Sequence, residues 1–371
     1  MIIKFNSFSI YWKLIASSQS ESRGNLHFIN RRFLLTRKEE PCNNDSIYRA
    51  IVRMSCVWLD MFRCMNNAEL VTFNERVFRI RKRLGEGAFS FVYLVQERST
   101  GKLYAMKRIV CHDAVEQRNV ENEVKLYELL DRCPNVISCE DFSIGPAAAY
   151  EAAIHGQGDE LSCDKMVEIN ILLPYYKRGT IQDELDWRKI SGDFMAETRL
   201  LSLFNDICNG LNALHSLTPQ PYAHRDLRPA NVLLNDDDSA VLMDLGSARL
   251  AEFTVVNECR ARQLQDYAAE HCSMYYRAPE LFAPNVGDKL DERSDIWSLG
   301  CLLYALCFWE SPFEYTFDKG DSLMLAVLSA NYRIPTKSPY SKTVHDLLKF
   351  MLEPDISRRP RLSAVMERLK S

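Results

Sequence analysis

The chain has 371 residues, of which 47% are hydrophobic and 26% charged, and its formal net charge is −4. This length is sufficient for one large domain or for two lobes with substantial cores. The near-neutral charge argues against a nucleic-acid-binding protein, which usually carries a strong basic excess. The 12 cysteines form no CxxC pair, so we expect reduced thiols in a cytoplasmic protein, not a zinc site or a redox dithiol.

The first 77 residues lack the alternating texture of the later chain, and we assign residues 1–77 to an N-terminal extension that is helical or partly disordered. No apolar run is long enough to span a bilayer. Asn6 and Lys13 interrupt the first apolar stretch, so we do not expect export.

Residues 46–65 have the pattern of an amphipathic helix. At a spacing of 3.6 residues one narrow face is charged and the others are apolar; the charged positions are Arg49, Arg53, Asp60 and Arg63. Such a helix can lie in a membrane interface, and Cys56 and Cys64 near its polar edge can carry palmitate. The alternatives are a helix docked on the rest of the chain and a disordered tail.

A strand-rich region begins at about Phe78 and gives way to a helical one. The runs FRIRKRL, FVYLVQE and KLYAMKRIV predict strands, and RNVENEVKLYELLDRC predicts a helix with an apolar side. Residues 145–164 read as a long surface loop before the strand MVEINILLP. Three long helices follow, within FMAETRLLSLFNDICNGLNALHSL, SDIWSLGCLLYALCFWESP and VHDLLKFMLEP. The order predicts an α+β fold with two lobes.

The hairpin GEGAFS joins the first two of these strands. Gly85 and Gly87 allow backbone N–H groups to approach a phosphate closely, although many turns contain Gly-x-Gly. Lys107 follows on the third strand, and Glu123 on the next helix can pair with it. Each of these side chains alone is more often simply solvated.

The stretch AHRDLRPANVLLNDDDSAVLMDLGSA contains the groups that phosphoryl transfer requires. Asp226 can receive the proton of an incoming hydroxyl, and Asn231 and Asp244 offer oxygen ligands for Mg²⁺. The apolar runs VLL and AVLM predict a hairpin that holds these groups in place. An unrelated polar side chain in a loop would be an adequate explanation for any one of these three groups. It does not explain all three in this order after a glycine hairpin and a strand lysine.

The motifs GEGAFSFV, YAMK, HRDLRPANVLL, DLG, YRAPE and DIWSLG resemble the signature set of eukaryotic protein kinases in its usual order. LLPYYKRGT, VLMDLGSA, QDYAAEHCSMYYRAPELF, LDERSDIWSLGC and KGDSLMLAV resemble the Numb-associated kinase family, closest to its serine/threonine-protein kinase 16 branch. The resemblance implies a bilobal kinase domain at residues 78–371. Its β-rich N-lobe would comprise residues 78–173 and its mainly helical C-lobe residues 174–371.

The resemblance also implies residue roles in an enzyme that uses ATP and Mg²⁺. The catalytic residues would be Asp226, Lys107, Arg228 and Asn231, and the metal ligands Asn231 and Asp244. Residues around the nucleotide would be Leu84, Gly85, Gly87, Val92, Ala105, Lys107, Glu123, Leu173, Tyr175, Tyr176 and Leu233. Glu280 and Arg359 would form an ion pair that anchors the activation segment.

Three departures from the kinase pattern bear on activity. Ser90 replaces the third glycine, Leu245 replaces the phenylalanine of DFG, and Arg228 stands where a lysine is usual. Arginine is bulkier than lysine and forks across two oxygens, so we expect an altered rate without loss of chemistry. The predicted activity is phosphorylation of Ser and Thr in proteins, autophosphorylation included. The alternative is a weakly active or inactive kinase-like scaffold.

The activation segment, from Asp244 to Glu280, is long for a kinase. The stretch RARQLQDYAAEHC within it predicts an extra helix. Arg225 can pair with a phosphate added to this segment, for which Thr254 and Ser273 are candidates; unmodified hydroxyls are an equal alternative. Ser273 also stands where Ser/Thr kinases have a hydroxyl that bridges the lysine and the catalytic aspartate. Tyr267 and Tyr275 are candidate minor targets. We expect His215 and His224 to be packed core histidines.

The resembled branch is anchored to endomembranes such as the Golgi by myristate and palmitate. This chain begins Met-Ile-Ile and lacks the Met-Gly that myristoylation requires. We therefore expect a cytoplasmic kinase with protein substrates, no nucleic-acid partner, and at most peripheral membrane association through residues 46–65.

Overall fold

The computed structural model describes residues 70–86, 90–146 and 166–370. The predictions for residues 46–65, for Gly87 and for most of the loop at 145–164 lie outside these described residues. Within them, a β-sheet lobe is followed by a mainly helical lobe, which is the predicted α+β bilobal fold.

The N-lobe contains one six-stranded antiparallel sheet with the strand order β1-β2-β3-β4-β6-β5. Its strands are β1 Leu70–Phe73, β2 Arg76–Glu86, β3 Ser90–Glu97, β4 Leu103–Cys111, β5 Asp141–Pro146 and β6 Val167–Pro174. β-branched and aromatic residues fill these strands, as a pleated, half-buried surface favours.

The sheet differs from the sequence prediction at two edges. β1 lies in the segment that we assigned to the extension, and a tight turn with positive φ at Asn74 and Glu75 joins it to β2. Four residues are too few for a visible alternation. Gly145 and Pro146, predicted to begin the long loop, instead pair with Glu168 and Val167. Pro is tolerated there because β5 is an edge strand.

The first helix, α1 Ala114–Leu129, begins after Asp113, whose side chain accepts hydrogen bonds from Val115 and Glu116. This cap starts the helix four residues before the predicted run. The apolar side of α1 packs on the sheet in what we call the helix-side cluster, whose buried members are Ile109, Cys111, Val120, Val124, Leu126, Tyr127, Leu130, Val136, Ile137, Ile169, Ile171, Leu173, Leu214, Val241, Leu245 and Ala248. The cluster joins α1, the sheet and the DLG turn.

The C-lobe is built around a helix that is buried on every side. Its helices are α2 Ile181–Ser191, α3 Glu197–His215, α4 Glu258–His271, α5 Pro279–Phe282, α6 Arg293–Phe308, α7 Glu314–Asp318, α8 Leu323–Leu328, α9 Lys342–Met351 and α10 Leu362–Leu369. Every residue of α6 from Ser294 to Phe308 is buried, which is typical of a helix at the centre of a lobe. The three long predicted helices correspond to α3, α6 and α9.

Short strands position the loops between these helices. They are β7 Tyr222–Ala223, β8 Val232–Leu234, β9 Ala240–Leu242, β10 Arg249–Leu250, β11 Phe253–Thr254 and β12 Lys289–Leu290. β8 and β9 form the predicted VLL/AVL hairpin. No helix in the described part of the chain is both long and apolar enough to cross a membrane.

Candidate active site

The sheet register aligns the glycine hairpin with the strand lysine. Gly85 on β2 pairs with Val92 on β3, and Val92 pairs with Lys107 on β4. Apart from its chain neighbours, no atom of the described residues lies within 4 Å of the position that a Cβ at Gly85 would take. This side of the Gly85 backbone is therefore open to a close approach, as a phosphate-binding turn requires.

Lys107 forms a partly buried ion-pair network across the two lobes. Its Nζ donates to Glu123 Oε1 at 2.7 Å, to Glu123 Oε2 at 3.0 Å and to Asp244 Oδ1 at 2.9 Å. The predicted pairing of Lys107 with Glu123 is thus present. Two carboxylates surround one ammonium group, so the cluster carries excess negative charge that suits a cationic ligand.

Electrostatics keep Lys107 and Asp244 ionised. Burial lowers the pKa of Lys107, but the adjacent Asp244 and Glu123 carboxylates outweigh burial and raise that pKa above its ordinary value. The charge of Lys107 in turn holds the pKa of Asp244 below its ordinary value against the opposing effect of burial. Buried charges are tolerated here because they are paired and hydrogen-bonded.

The residues predicted around the adenine come from five strands and the segment after β6. Ala105 pairs with Leu173 across β4 and β6. Leu173 is a buried member of the helix-side cluster, and Ala105, Tyr176 and Leu233 pack against it half-buried. Leu84 is 39% exposed on β2, and Val92 and Tyr175 are half-buried.

The catalytic-loop candidates are bonded to one another. Asn231 Nδ2 donates to both the backbone oxygen and Oδ2 of Asp226, each at 2.8 Å. Arg228 Nε lies 3.4 Å from Asp226 Oδ2, so the arginine that replaces the usual lysine stays beside the catalytic aspartate. Charge on Arg228 is therefore available where a phosphoryl group would meet Asp226.

Ser273 meets Asp226 through its backbone and not through the predicted hydroxyl. Its N–H donates to Asp226 Oδ1 at 2.9 Å. The sequence indicated a hydroxyl contact because it cannot reveal how a loop turns its peptide planes. The amide fixes one carboxylate oxygen of Asp226, while Asn231 fixes the other.

The two predicted metal ligands are held by a shared backbone contact. Met243 N, directly before Asp244, donates to Asn231 O at 3.0 Å. The Asn231 bonds to Asp226 use its amide nitrogen and leave the side-chain oxygen as a donor atom for a metal. The Asp244 side chain is 43% exposed. Two such oxygens fit Mg²⁺, which takes a few protein oxygens together with water and phosphate oxygens.

Gly246 closes the DLG turn against α1. A Cβ on Gly246 would lie 3.1 Å from Glu123 Oε2 and 3.3 Å from Asp244 Oδ1. Only a residue without a side chain allows the turn to approach this closely. The neighbouring Leu245 is buried in the helix-side cluster, as predicted for an apolar plug beside the metal aspartate.

Asp295 is a supporting residue that sequence reasoning did not single out. It lies on α6, has no exposed surface, and accepts hydrogen bonds from His224 N at 2.7 Å and Arg225 N at 2.8 Å. The His215 ring nitrogen Nε2 lies 2.9 Å from Asp295 Oδ2, the same oxygen that accepts from His224 N. His224 and His215 are thus core histidines, as expected. The sequence did offer a signal for this role, because Asp295 begins the otherwise apolar run DIWSLG. A carboxylate buried with such a run needs hydrogen-bond partners.

The predicted extra helix of the activation segment is α4, and it covers the arginines of the site. The guanidinium carbons of Arg225 and Arg249 lie 5.8 Å and 5.4 Å from the centre of the Tyr267 ring. Tyr267 Oη donates to Ser247 O at 2.5 Å. The ring therefore occupies the surroundings of Arg225 that we had considered for a phosphate, while Thr254 is exposed on β11.

The predicted Glu280–Arg359 pair is present and buried. Arg359 Nη1 and Nη2 each lie 2.9 Å from a Glu280 carboxylate oxygen. The guanidinium also donates to backbone oxygens of Arg293, Glu353 and Pro354. This bidentate geometry ties the end of the activation segment to the C-terminal helices.

Comparison with known proteins agrees with this geometry. A family model described as Protein kinase domain matches residues 78–369. Serine/threonine-protein kinase 16 of Rattus norvegicus is 37% identical over 308 residues, which cover 83% of this chain and 94% of that protein. The protein of the same name from Homo sapiens is 36% identical with the same coverage. Serine/threonine-protein kinase ppk13 of Schizosaccharomyces pombe is 30% identical over 331 residues, covering 81% and 92% of the two chains.

Proposed function

Because this chain belongs to the protein kinase family, we propose that it transfers the γ-phosphate of ATP to Ser and Thr hydroxyls of proteins, its own included. Ser/Thr kinase activity is that of the relatives named above. The proposal rests mainly on two sets of hydrogen-bonded side chains. In the first set Lys107 bonds to Glu123 and Asp244. In the second Asn231 bonds to Asp226.

Each group has a role that follows from its charge and neighbours. Gly85 and Gly87 approach the phosphates through backbone amides, and Lys107 binds phosphate oxygens while Glu123 holds its ammonium group. Asp226 orients the protein hydroxyl and takes its proton, with both carboxylate oxygens positioned by neighbours. Arg228 neutralises charge on the transferred group.

Asn231 and Asp244 are the residues that would hold Mg²⁺, which supplies positive charge against the phosphate oxygens. An apolar pocket formed by Leu84, Val92, Ala105, Leu173 and Leu233 would take the adenine, and the main chain of Tyr175 and Tyr176 would bind its polar edge. These assignments rest on the register and packing described above.

The direct test is phosphate transfer from radiolabelled ATP with Mg²⁺ by the full chain and by Asp244→Asn. Label on Ser and Thr, in the chain itself and in a generic protein acceptor, should fall at least about 100-fold in the variant. Asp131→Asn, which changes a side chain that is 55% exposed, should keep full activity. Phospho-amino-acid analysis identifies the acceptor.

A folded wild-type chain that binds ATP but labels none of several acceptors would support the kinase-like scaffold instead. The arrangement of Lys107, Asp226, Asn231 and Asp244 argues against that alternative, since inactive relatives of an enzyme are expected to lose such groups.

Membership of the Numb-associated kinase family and association with a membrane are also part of the proposal. The first is supported by the motifs quoted above. The second is supported by the amphipathic pattern of residues 46–65 with Cys56 and Cys64. The location proposed is the cytoplasmic side of the Golgi or another endomembrane.

A further inference from the structure

A tyrosine hydroxyl lies against the carboxylate that holds the active-site lysine. Tyr127 Oη donates to Glu123 Oε1 at 3.0 Å, and Tyr127 and Glu123 are 1% and 2% exposed. The two residues are four positions apart on α1, which places them on the same face of the helix. The sequence pattern predicts an apolar side for this helix, which gives Tyr127 a place in the core and no further role.

The hydroxyl gives the Glu123 carboxylate a second side-chain donor in addition to Lys107. Oε1 of Glu123 accepts from both Lys107 and Tyr127, and Oε2 accepts from Lys107. Burial raises the pKa of Tyr127 well above its ordinary value, and the Glu123 charge adds to this, so the hydroxyl stays a donor at any working pH.

This second donor matters because Lys107 has a second carboxylate partner. Asp244 Oδ1 lies 2.9 Å from Lys107 Nζ, and Asp244 is also a proposed metal ligand. If Asp244 held Mg²⁺, its oxygen would offer less electron density to the Lys107 ammonium group. Lys107 would then rely more on Glu123, whose carboxylate also accepts from Tyr127.

The aromatic ring links this bond to the DLG turn. Tyr127 and Leu245 are both buried members of the helix-side cluster, and the Glu123 carboxylate is 3.1 Å from where a Cβ on Gly246 would lie. The side chain is therefore fixed by packing before its hydroxyl is used. A preorganised neighbour of this kind costs no reordering during the reaction.

We infer that Tyr127 is a positioning residue that acts through Glu123 to hold Lys107 in its phosphate-binding orientation. The inference rests on the proposed kinase function and deepens it. It concerns the hydroxyl group and not the ring, which separates it from an ordinary role in the core.

The test compares steady-state kinetics of wild type and Tyr127→Phe, which keeps the ring and removes the hydroxyl. kcat/KM for ATP should fall about tenfold, since a hydrogen bond to a charged group is lost, while KM for the protein acceptor should not change. Tyr304→Phe is the matched control. Tyr304 is also buried on a helix, and its hydroxyl donates to Arg333 O at 2.6 Å away from the site, so this variant should lose stability without losing kcat/KM.

A double-mutant cycle with Glu123→Gln separates positioning from packing. If Tyr127 acts through Glu123, adding Tyr127→Phe to Glu123→Gln should change kcat/KM less than twofold. An equal tenfold loss in both backgrounds would overturn the inference. Tyr127→Leu also lacks the hydroxyl but packs differently, and its kcat/KM should match that of Tyr127→Phe. A fall in kcat/KM for Tyr127→Leu but not for Tyr127→Phe would likewise assign the effect to packing.

Folding and function are separated by the controls. Assays run at a temperature where near-ultraviolet circular dichroism shows each variant folded. An inactive wild type would refute the proposed function. If the wild type is active and Tyr127→Phe has the same kcat/KM for ATP, only the positioning role is refuted.

Discussion

At the scale of single residues, the backbone at two positions of the candidate site has a conformation that neighbouring groups must stabilise. Arg225 and Asp244 have φ values of 66° and 62°, in the left-handed region that residues other than glycine adopt at a cost. Arg225 N donates to Asp295 Oδ1. Burial raises the pKa of Asp295, but hydrogen bonds from His215 and the loop backbone outweigh burial and hold that pKa below its ordinary value. The carboxylate thus stays charged and keeps the strained loop in place.

Asp295→Asn should therefore damage both stability and catalysis. The amide nitrogen of Asn would face an N–H donor, so one backbone group would lose its acceptor at a cost of about 1–3 kcal/mol in the free energy of unfolding. The misplaced loop should lower kcat by about tenfold or more. Urea unfolding and initial-rate kinetics measure the two effects, with the surface variant Asp131→Asn as control. A variant with wild-type kcat would show that Asp295 does not position the loop.

At the scale of secondary-structure elements, an ion pair joins the start of β2 to the end of β3. Arg76 Nε donates to Glu97 Oε1 at 2.7 Å, and its Nη2 donates to Tyr104 Oη at 3.0 Å. The hydrogen bonds from Arg76 and from Thr100 lower the pKa of Glu97 to about 2. β2 carries Gly85 and β4 carries Lys107, so these bonds connect the strands of the proposed nucleotide site.

Glu97→Gln should reveal a pH-dependent contribution to stability. The folded-state pKa of about 2 lies below the ordinary 4.5, so the carboxylate stabilises the fold fully above pH 4.5 and progressively less as pH falls towards 2. Wild type should exceed the variant by about 1.5–3 kcal/mol in unfolding free energy at pH 7, and the difference should shrink below pH 4.5. Urea titrations at several pH values measure this difference.

Glu140→Gln is the control for Glu97→Gln. It affects a more exposed pair with Lys102, so its unfolding free energy should differ little from that of wild type. A Glu97→Gln effect that did not change with pH would contradict the ionic explanation.

At the scale of the whole molecule, the active site exists only where the two lobes meet. Lys107 comes from the N-lobe sheet and Asp244 from the C-lobe, and their bond closes the site. The bidentate Arg359–Glu280 pair then joins the activation segment to the C-terminal helices. Elements separated by many residues therefore have to fold together before phosphate can be transferred.

Membrane association is a property that the full chain should show. Cys56→Ser with Cys64→Ser should lower the membrane-bound fraction of the full-length protein, because the proposed amphipathic segment alone would bind weakly and an acyl chain would strengthen the binding. Cys259→Ser, which changes an exposed cysteine on α4, is the matched control. Fractionation of cells expressing each variant is the measurement. An unchanged membrane fraction in the double variant would remove the anchoring hypothesis.

The sequence by itself determined the elements whose signals are local. The alternation of β2, β3 and β4, the apolar sides of α1, α3 and α9, and the extra helix α4 all follow from periodicity over a few turns or strand residues. The candidate site residues were also identifiable, because their types and order are constrained by the chemistry of phosphate and Mg²⁺. Short elements such as β1 and the extension of β5 to Pro146 were missed, since four to six residues carry too little pattern.

Tertiary structure alone decided which partner each polar group takes. The amide of Ser273 on Asp226, the Tyr267 ring over Arg225, the acceptance of the loop amides by Asp295 and the Tyr127 hydroxyl on Glu123 all depend on the approach of distant segments or on side-chain direction. A sequence specifies which donors and acceptors exist. Their pairing is selected by the requirement that every buried polar group be satisfied in one closely packed arrangement, and that arrangement is a property of the folded chain.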